Sequence, residues 1–413
     1  MQNRWDESQA REQAEGAVAD GLPEALGLRV YSSRLLGQDP DLVLHGGGNT
    51  SVKIDGEEGP VLHVKGSGWD LARIEAPGLP GLRLEPLLEA AHGPRMSDER
   101  MTAFLRENLL LANAPDPSVE TLLHAFIPHR FVDHSHATAI LVLADQPDME
   151  RRVREIYGTR LAFVPYVMPG FDLSVACDRA FRNAPGCEGL WLERHGLFTF
   201  AETAKGAYDR MIDFVNAAED HLGDHDATVP GPQPDDRPEP AALSASLRDA
   251  LRSHGGLGPE PALDFRSTPA IRAYVGRDDI EALSRRGTAT PDHVIRVKPF
   301  PLVLDGDDDA KRIAERLESY AREYTSYFER NARRADEPKT MLDTAPRVAL
   351  VPGQGLYGLG TSFAAARICT DLMEQTARVV NAAESYGRFT PIEEPDLFDM
   401  EYWSLEQAKL ARG

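Results

Sequence analysis

Three histidines in this 413-residue chain have the spacing of a shared ligand set. His134 and His136 stand two apart in Val-Asp-His-Ser-His-Ala-Thr, and His195 lies in Arg-His-Gly-Leu. Each sits beside an apolar run that reads as a strand. Side chains two apart on a strand point to the same face, so the imidazoles of His134 and His136 lie a few ångströms from one another. A third histidine brought in by another strand would complete a three-nitrogen face around a divalent cation. The fourth position then stays open for water or substrate, as in catalytic rather than structural zinc sites. Taken singly, each histidine also fits a surface or hydrogen-bonded core role.

Other residues could serve the same chemistry. Glu120 ends Asp116-Pro117-Ser118-Val119-Glu120, where Pro117 suits the first position of a helix. By itself Glu120 reads as a first-turn carboxylate favoured by the helix dipole. Beside a cation it reads as a general base. Two glycine loops follow apolar runs, His45-Gly-Gly-Gly-Asn49-Thr-Ser51 and Lys65-Gly-Ser67-Gly68. Each alone is a tight turn. Together with Ser118 at a helix start they offer backbone amides and short hydroxyls to an anionic oxygen.

The elements that must position these residues are legible in outline. Leu42–Leu44, Val61–Val64 and Ala139–Leu143 read as strands, and Leu190–Phe200 reads as two short strands around the Arg-His-Gly turn. Ser118–Phe126 and Glu202–Leu222 read as helices, the second with Met211, Ile212, Phe214 and Val215 on one face. The stretch His221–Pro240 is rich in Pro, Gly and Asp and reads as a linker. Beyond it come a helix near Ala242–Ser253 and strands at Ala273–Val275, Val294–Val297 and Leu302–Leu304. A long helix near Ala310–Arg333, a strand Arg347–Val351 and a helix from Ser362 to about Ala383 complete the pattern. The expected division is a catalytic domain over 1–223, a linker with connecting helix over 224–257 and a C-terminal α/β domain over 258–413.

Composition bounds the partners. The formal charge of −21 argues against nucleic acid or an anionic membrane, because both are bound through basic patches. No apolar run approaches the roughly 18–20 residues of a membrane span. The polar N-terminus is not a secretory signal. Three cysteines without metal spacing fit a reducing cytoplasm, the expected location.

In order along the chain stand Gly-Gly-Gly-Asn-Thr-Ser, Lys-Gly-Ser-Gly, Ser-Val-Glu-Thr-Leu-Leu-His, His-Ser-His-Ala-Thr-Ala and Glu-Arg-His-Gly-Leu-Phe. These five blocks, over roughly residues 22–223, resemble the class II aldolase/adducin family. The resemblance implies a three-layer α/β domain with a mainly antiparallel central sheet, beside a second, smaller α/β domain. It implies zinc, or another divalent metal, on His134, His136 and His195, with Glu120 as the catalytic acid/base. Asn49, Ser67, Gly68 and Ser118 match the family's substrate and phosphate loops. The implied activity is cleavage of a phosphorylated ketose through a zinc-stabilised enediolate. Related sugar-phosphate lyase or epimerase reactions, or a non-catalytic adducin-like module, are the alternatives. Members of the family commonly form tetramers, so a homo-oligomer is expected.

The second half narrows the resemblance. Thr290-Pro-Asp-His-Val-Ile-Arg296, Val351-Pro-Gly-Gln-Gly-Leu-Tyr-Gly358 and the tail Met400–Leu410 look like the aldolase half of bifunctional rhamnulose-phosphate aldolase/short-chain dehydrogenase proteins. The dehydrogenase activity is not carried over. Gly353-Gln-Gly355-Leu-Tyr-Gly358 matches the Gly-x-Gly-x-x-Gly fingerprint between a strand and a helix. A nicotinamide site also needs a second strand ending in an acidic residue about 20 residues on, and none follows. A structural turn or modest anion seat is the better reading.

Overall fold

The computed structural model of the chain describes residues 1–403 apart from 236 and 336, so the tail beyond Trp403 lies outside the described residues. Among the described residues two units emerge, 1–225 and 226–403.

In the first unit seven strands form one sheet: β1 (Asn49–Gly56), β2 (Gly59–Val64), β3 (Gly81–Arg83), β4 (Phe131–Ser135), β5 (Leu161–Val164), β6 (Gly189–Leu192) and β7 (Gly196–Ala201). Their order is β3-β2-β1-β4-β7-β6-β5. Every pairing is antiparallel except β5 with β6. Helices cover both faces, giving three layers.

Period-two alternation assigns the faces. Thr50 and Asp133 lie opposite one another on β1 and β4 and turn toward the helix Glu24–Gly37. There Asp133 pairs with Arg29 at 2.5 Å, and the Thr50 hydroxyl meets that of Ser33 at 2.7 Å. Asn49 and His134, also directly opposite, share the other face. That face packs against the helices Thr121–Phe126 and Phe171–Asn183 through Leu123, Val132, Leu173, Phe198 and Phe200.

The second unit holds a smaller sheet of β8 (Ala262–Arg266), β9 (Leu302–Val303), β10 (Val348–Val351) and β11 (Gly355–Gly360), in the order β8-β11-β10-β9. Its long helix Ala310–Ala332 buries Ile313, Leu317, Tyr320, Tyr324 and Tyr327, spaced four and three apart as a single helical stripe. With Leu247, Leu251, Tyr357 and Leu359 they form that unit's core.

Several sequence expectations are corrected. Ala139–Leu143 lies in a helix, Thr138–Ala144, all seven residues of which are buried. Burial on every side erases the periodicity that separates helix from strand. Ala273–Val275 ends the helix Pro269–Val275, which opens on a Thr268 cap and a proline at its start. Val294–Val297 is a single helical turn. Leu42–Leu44 forms no strand, and strand β8 was not anticipated. The glycines at 353, 355 and 358 do not form a strand-to-helix loop. Gly353 sits in the turn of the antiparallel β10–β11 hairpin, at φ +70°. A Cβ on Gly358 would lie 2.1 Å from the Ala366 carbonyl, so this glycine admits the helix Phe363–Tyr386 onto β11.

Candidate active site

The three histidines converge as their spacing predicts, from slightly different elements. His134 is on β4 and His136 just beyond its end, while His195 sits in the tight turn joining β6 to β7 rather than on a strand. Arg194 reaches φ +56° to make that turn. One ligand nitrogen from each lies within 4.8 Å of the others, and all three side chains are buried. The Nε2 atoms of His134 and His136 are 3.0 Å apart.

The surroundings orient His134. Its ring stacks on Phe198 at 4.0 Å between centroids, and its Nδ1–H donates to the Leu197 carbonyl at 3.1 Å. With the proton on Nδ1, Nε2 presents a lone pair to the cluster, the outer-shell device that prepares a histidine for metal. Burial first, and then His136 and His195 beside it, hold this imidazole well below its usual pKa and keep it neutral. Nitrogens bound to a tetrahedral zinc at 2.0–2.1 Å stand about 3.3 Å apart. The donor set and its spacing therefore fit a divalent cation.

Glycine shapes the pocket wall by close approach. Gly48, at φ +62°, would place a Cβ 2.5 Å from the His134 carbonyl, and a Cβ on Gly47 would lie 3.4 Å from His136 Nδ1. The loop 45–48 thus lies against both ligands, and any side chain at Gly48 would press on the His134 backbone.

Glu120 is not in the first turn of a helix. The helix starts at Thr121, one residue later, and Glu120 occupies its cap without a capping hydrogen bond. Pro117 instead bridges to Gly66, and Ser118 lies upstream of the helix. The Glu120 carboxylate turns to the histidines, 3.7 Å from His134 Nε2 and 3.9 Å from His195 Nε2. Asn49 Nδ2 donates to its Oε2 at 2.6 Å and to Ser118 Oγ at 3.3 Å.

Ser67 and Gly68 adjoin this group through the same bridge, with a difference from expectation. The Ser67 amide donates to the Asp116 carbonyl at 2.7 Å and the Ser118 amide to the Lys65 carbonyl at 3.0 Å, so neither amide serves an anion. What remains is the Ser67 and Ser118 hydroxyls and the exposed backbone at Gly68, φ +82° with open space around it.

Two residues escaped the sequence reading. His124 Nε2 meets Asn49 Oδ1 in a short hydrogen bond, and the Ser51 hydroxyl meets His124 Nδ1 at 2.8 Å. The signal was present: Asn49 and Ser51 are two apart on a strand, and Glu120 and His124 four apart at a helix start. Lys53, two further along β1, donates to the carbonyls of His124, Ile127 and His129 at 2.7, 2.6 and 3.0 Å and anchors the carboxyl end of that helix.

The profile of the class II aldolase and adducin N-terminal domain matches residues 29–222, and that of the second domain of class II aldolases matches residues 238–410. The chain belongs to the class II aldolase and adducin family. It is similar to a Bacillus subtilis (strain 168) protein named uncharacterized oxidoreductase YuxG, 32% identical over 425 residues. The match takes in 98% of this chain but 60% of that relative, so the chain spans under two thirds of the relative's length. Among solved structures, the N-terminal class II aldolase domain of a conserved Thermoplasma acidophilum protein is 41% identical. It covers 54% of this chain and 99% of its own, at a TM-score of 0.48. An L-fuculose-1-phosphate aldolase of Thermus thermophilus is 19% identical, covering 48% and 95%, at 0.32. Among the described residues no helix is long and apolar enough to cross a membrane.

Proposed function

We propose that this class II aldolase family member is a divalent-metal-dependent lyase that breaks or forms a carbon–carbon bond in a phosphorylated ketose of the rhamnulose-1-phosphate kind. The observation that supports it is the meeting of three imidazoles with the Glu120 carboxylate, 3.7 and 3.9 Å from two of them.

His134, His136 and His195 would hold zinc or another divalent ion, which supplies Lewis acidity toward a substrate carbonyl when bound. Nitrogen ligands alone do not select zinc over its neighbours in the series. Glu120 carries the proton to and from the carbon whose bond is made or broken. Asn49, with its amide committed to Glu120, Ser118 and His124, holds that carboxylate in place. Ser67, Gly68 and Ser118 are left to hold the phosphate through a hydroxyl-rich rim in an otherwise acidic protein. Burial of the site keeps bulk water from the reacting carbons. A cytoplasmic homo-oligomer, a tetramer by the family resemblance, is the expected working form.

The oxidoreductase name of the Bacillus relative suggests a second reading, and the β10–β11 hairpin speaks against it, since it gives the C-terminal glycines no pyrophosphate seat at a helix start. The test is a retro-aldol assay on ketose phosphates with wild type, His136→Ala and Glu120→Ala, alongside metal analysis of protein purified without chelator. Loss of activity in both variants, with loss of metal in His136→Ala, supports the proposal. Equal activity in all three refutes it.

A further inference from the structure

Behind Glu120 a continuous buried chain of side chains runs away from the histidine cluster. Ser51 Oγ lies 2.8 Å from His124 Nδ1, His124 Nε2 meets Asn49 Oδ1, and Asn49 Nδ2 lies 2.6 Å from Glu120 Oε2. All four residues are buried.

The direction of this chain is dictated at one end. A carboxylate only accepts, so the group Asn49 shows to Glu120 must be its NH2. Its carbonyl therefore faces His124, which must donate from Nε2. A neutral ring then accepts at Nδ1, so Ser51 donates there. The opposite polarity would set the Asn49 oxygen against a carboxylate oxygen at 2.6 Å, a repulsive contact in a dry site. Asparagine alone flips easily between its two orientations. The histidine beyond it removes that freedom.

Packing reinforces the arrangement. The His124 ring stands edge-on to Phe198 at 5.5 Å, and Phe198 also stacks on His134 at 4.0 Å. One phenyl ring thus sets the positions of a candidate metal ligand and of the histidine that steers the carboxylate. The Lys53 ammonium fixes the His124 backbone by donating to its carbonyl at 2.7 Å.

We propose that His124 is a positioning residue: through Asn49 it holds the Glu120 carboxylate in the orientation from which it moves a proton, and Ser51 fixes the ring tautomer that makes this possible. The inference rests on the reading of Glu120 as proton carrier. Displacing a reacting group by about 1 Å costs on the order of a hundredfold, so removing the donor should be felt in turnover rather than in affinity.

The experiment compares His124→Leu, which keeps volume but removes the donor, with His124→Gln, whose amide nitrogen reaches toward the Nε2 position. His124→Leu should lower kcat by about 10- to 100-fold with KM within about threefold, while metal content per chain stays at the wild-type level. His124→Gln should recover most of the loss. In a Glu120→Ala background, His124→Leu should cost nothing further, because the residue it steers is gone. Full kcat in His124→Leu with an inactive Glu120→Ala overturns the positioning role alone. A loss that persists undiminished in the Glu120→Ala background also overturns it, since that marks a structural effect. Wild-type activity in Glu120→Ala overturns the functional reading beneath it. If His124→Leu does not fold, Ser51→Ala carries the same comparison with an expected kcat loss of about threefold, and no loss there overturns the tautomer argument.

Discussion

Replacing Gly196 by alanine should damage both the sheet and the histidine cluster at once. A Cβ at that position would lie 2.5 Å from the Ser135 carbonyl oxygen, 3.0 Å from His136 Cδ2 and 3.2 Å from His134 Cε1. The first obstacle is backbone in the β4–β7 ladder, where Ser135 pairs with Leu197, so it has no rotamer by which to withdraw. The other two are the rings of two candidate metal ligands. Overpacking of a filled site costs about 1–3 kcal/mol, and a backbone clash this close belongs at the upper end. At about 3 kcal/mol and a urea slope near 2 kcal/mol/M, the unfolding midpoint should fall by about 1.5 M. Because the methyl group wedges between the imidazoles, metal affinity should fall by about tenfold or more. The assay is equilibrium urea unfolding with and without chelator, together with metal titration. Gly93→Ala is the control, for its nearest neighbour would be the Ala90 carbonyl at 3.5 Å, and its change should stay within about 0.5 kcal/mol. If Gly196→Ala matches that control in both stability and metal affinity, the account of the cluster wall is wrong.

Two further outcomes follow from the same core. Arg29 and Asp133 form a fully buried pair at 2.5 Å, so Arg29→Met should cost about 3–5 kcal/mol by stranding a carboxylate, and the double variant Arg29→Met/Asp133→Leu should recover most of it. Urea unfolding decides this, and a double variant as unstable as the single would refute it. His124 is held well below its ordinary pKa of 6.5 by burial first and then by the charges of Lys53 and Arg29. Below pH 6.5 the unfolded chain binds a proton there that the folded chain refuses, so the stability this histidine confers is complete above pH 6.5 and is lost as pH falls. As pH falls from 6.5 toward 5 the wild type should therefore lose more stability than His124→Gln, and parallel pH curves for the two proteins would contradict it.

Much of the site was written in local spacing. The pair His134 and His136, two apart beside a strand, needed only the pleat to share a face. The turn at Arg194-His195-Gly196 was legible because two apolar runs flank it. Glu120 was misplaced: Pro117 and Ser118 look like a helix start, yet Pro117 bridges to Gly66, which delays the helix to Thr121. In the second unit the glycines at 353–358 satisfied a nucleotide fingerprint in type and order. Their conformation came instead from the hairpin and from the helix laid against β11.

The sequence by itself pointed to the family and, through that resemblance, singled out the three histidines and Glu120 as candidates, because residue type and short-range order survive without a fold. The tertiary structure alone decided that Glu120 answers to Asn49 rather than to the helix dipole, and that Asn49 answers in turn to His124. It also decided that the apolar run at 139–143 is helix. The physical reason is that each outcome depends on contacts distant in sequence. Asn49 and Glu120 are 71 residues apart in the chain, so their hydrogen bond exists only once β1 and the short helix meet across the core. Burial on every side likewise removes the solvent contrast from which periodicity is read.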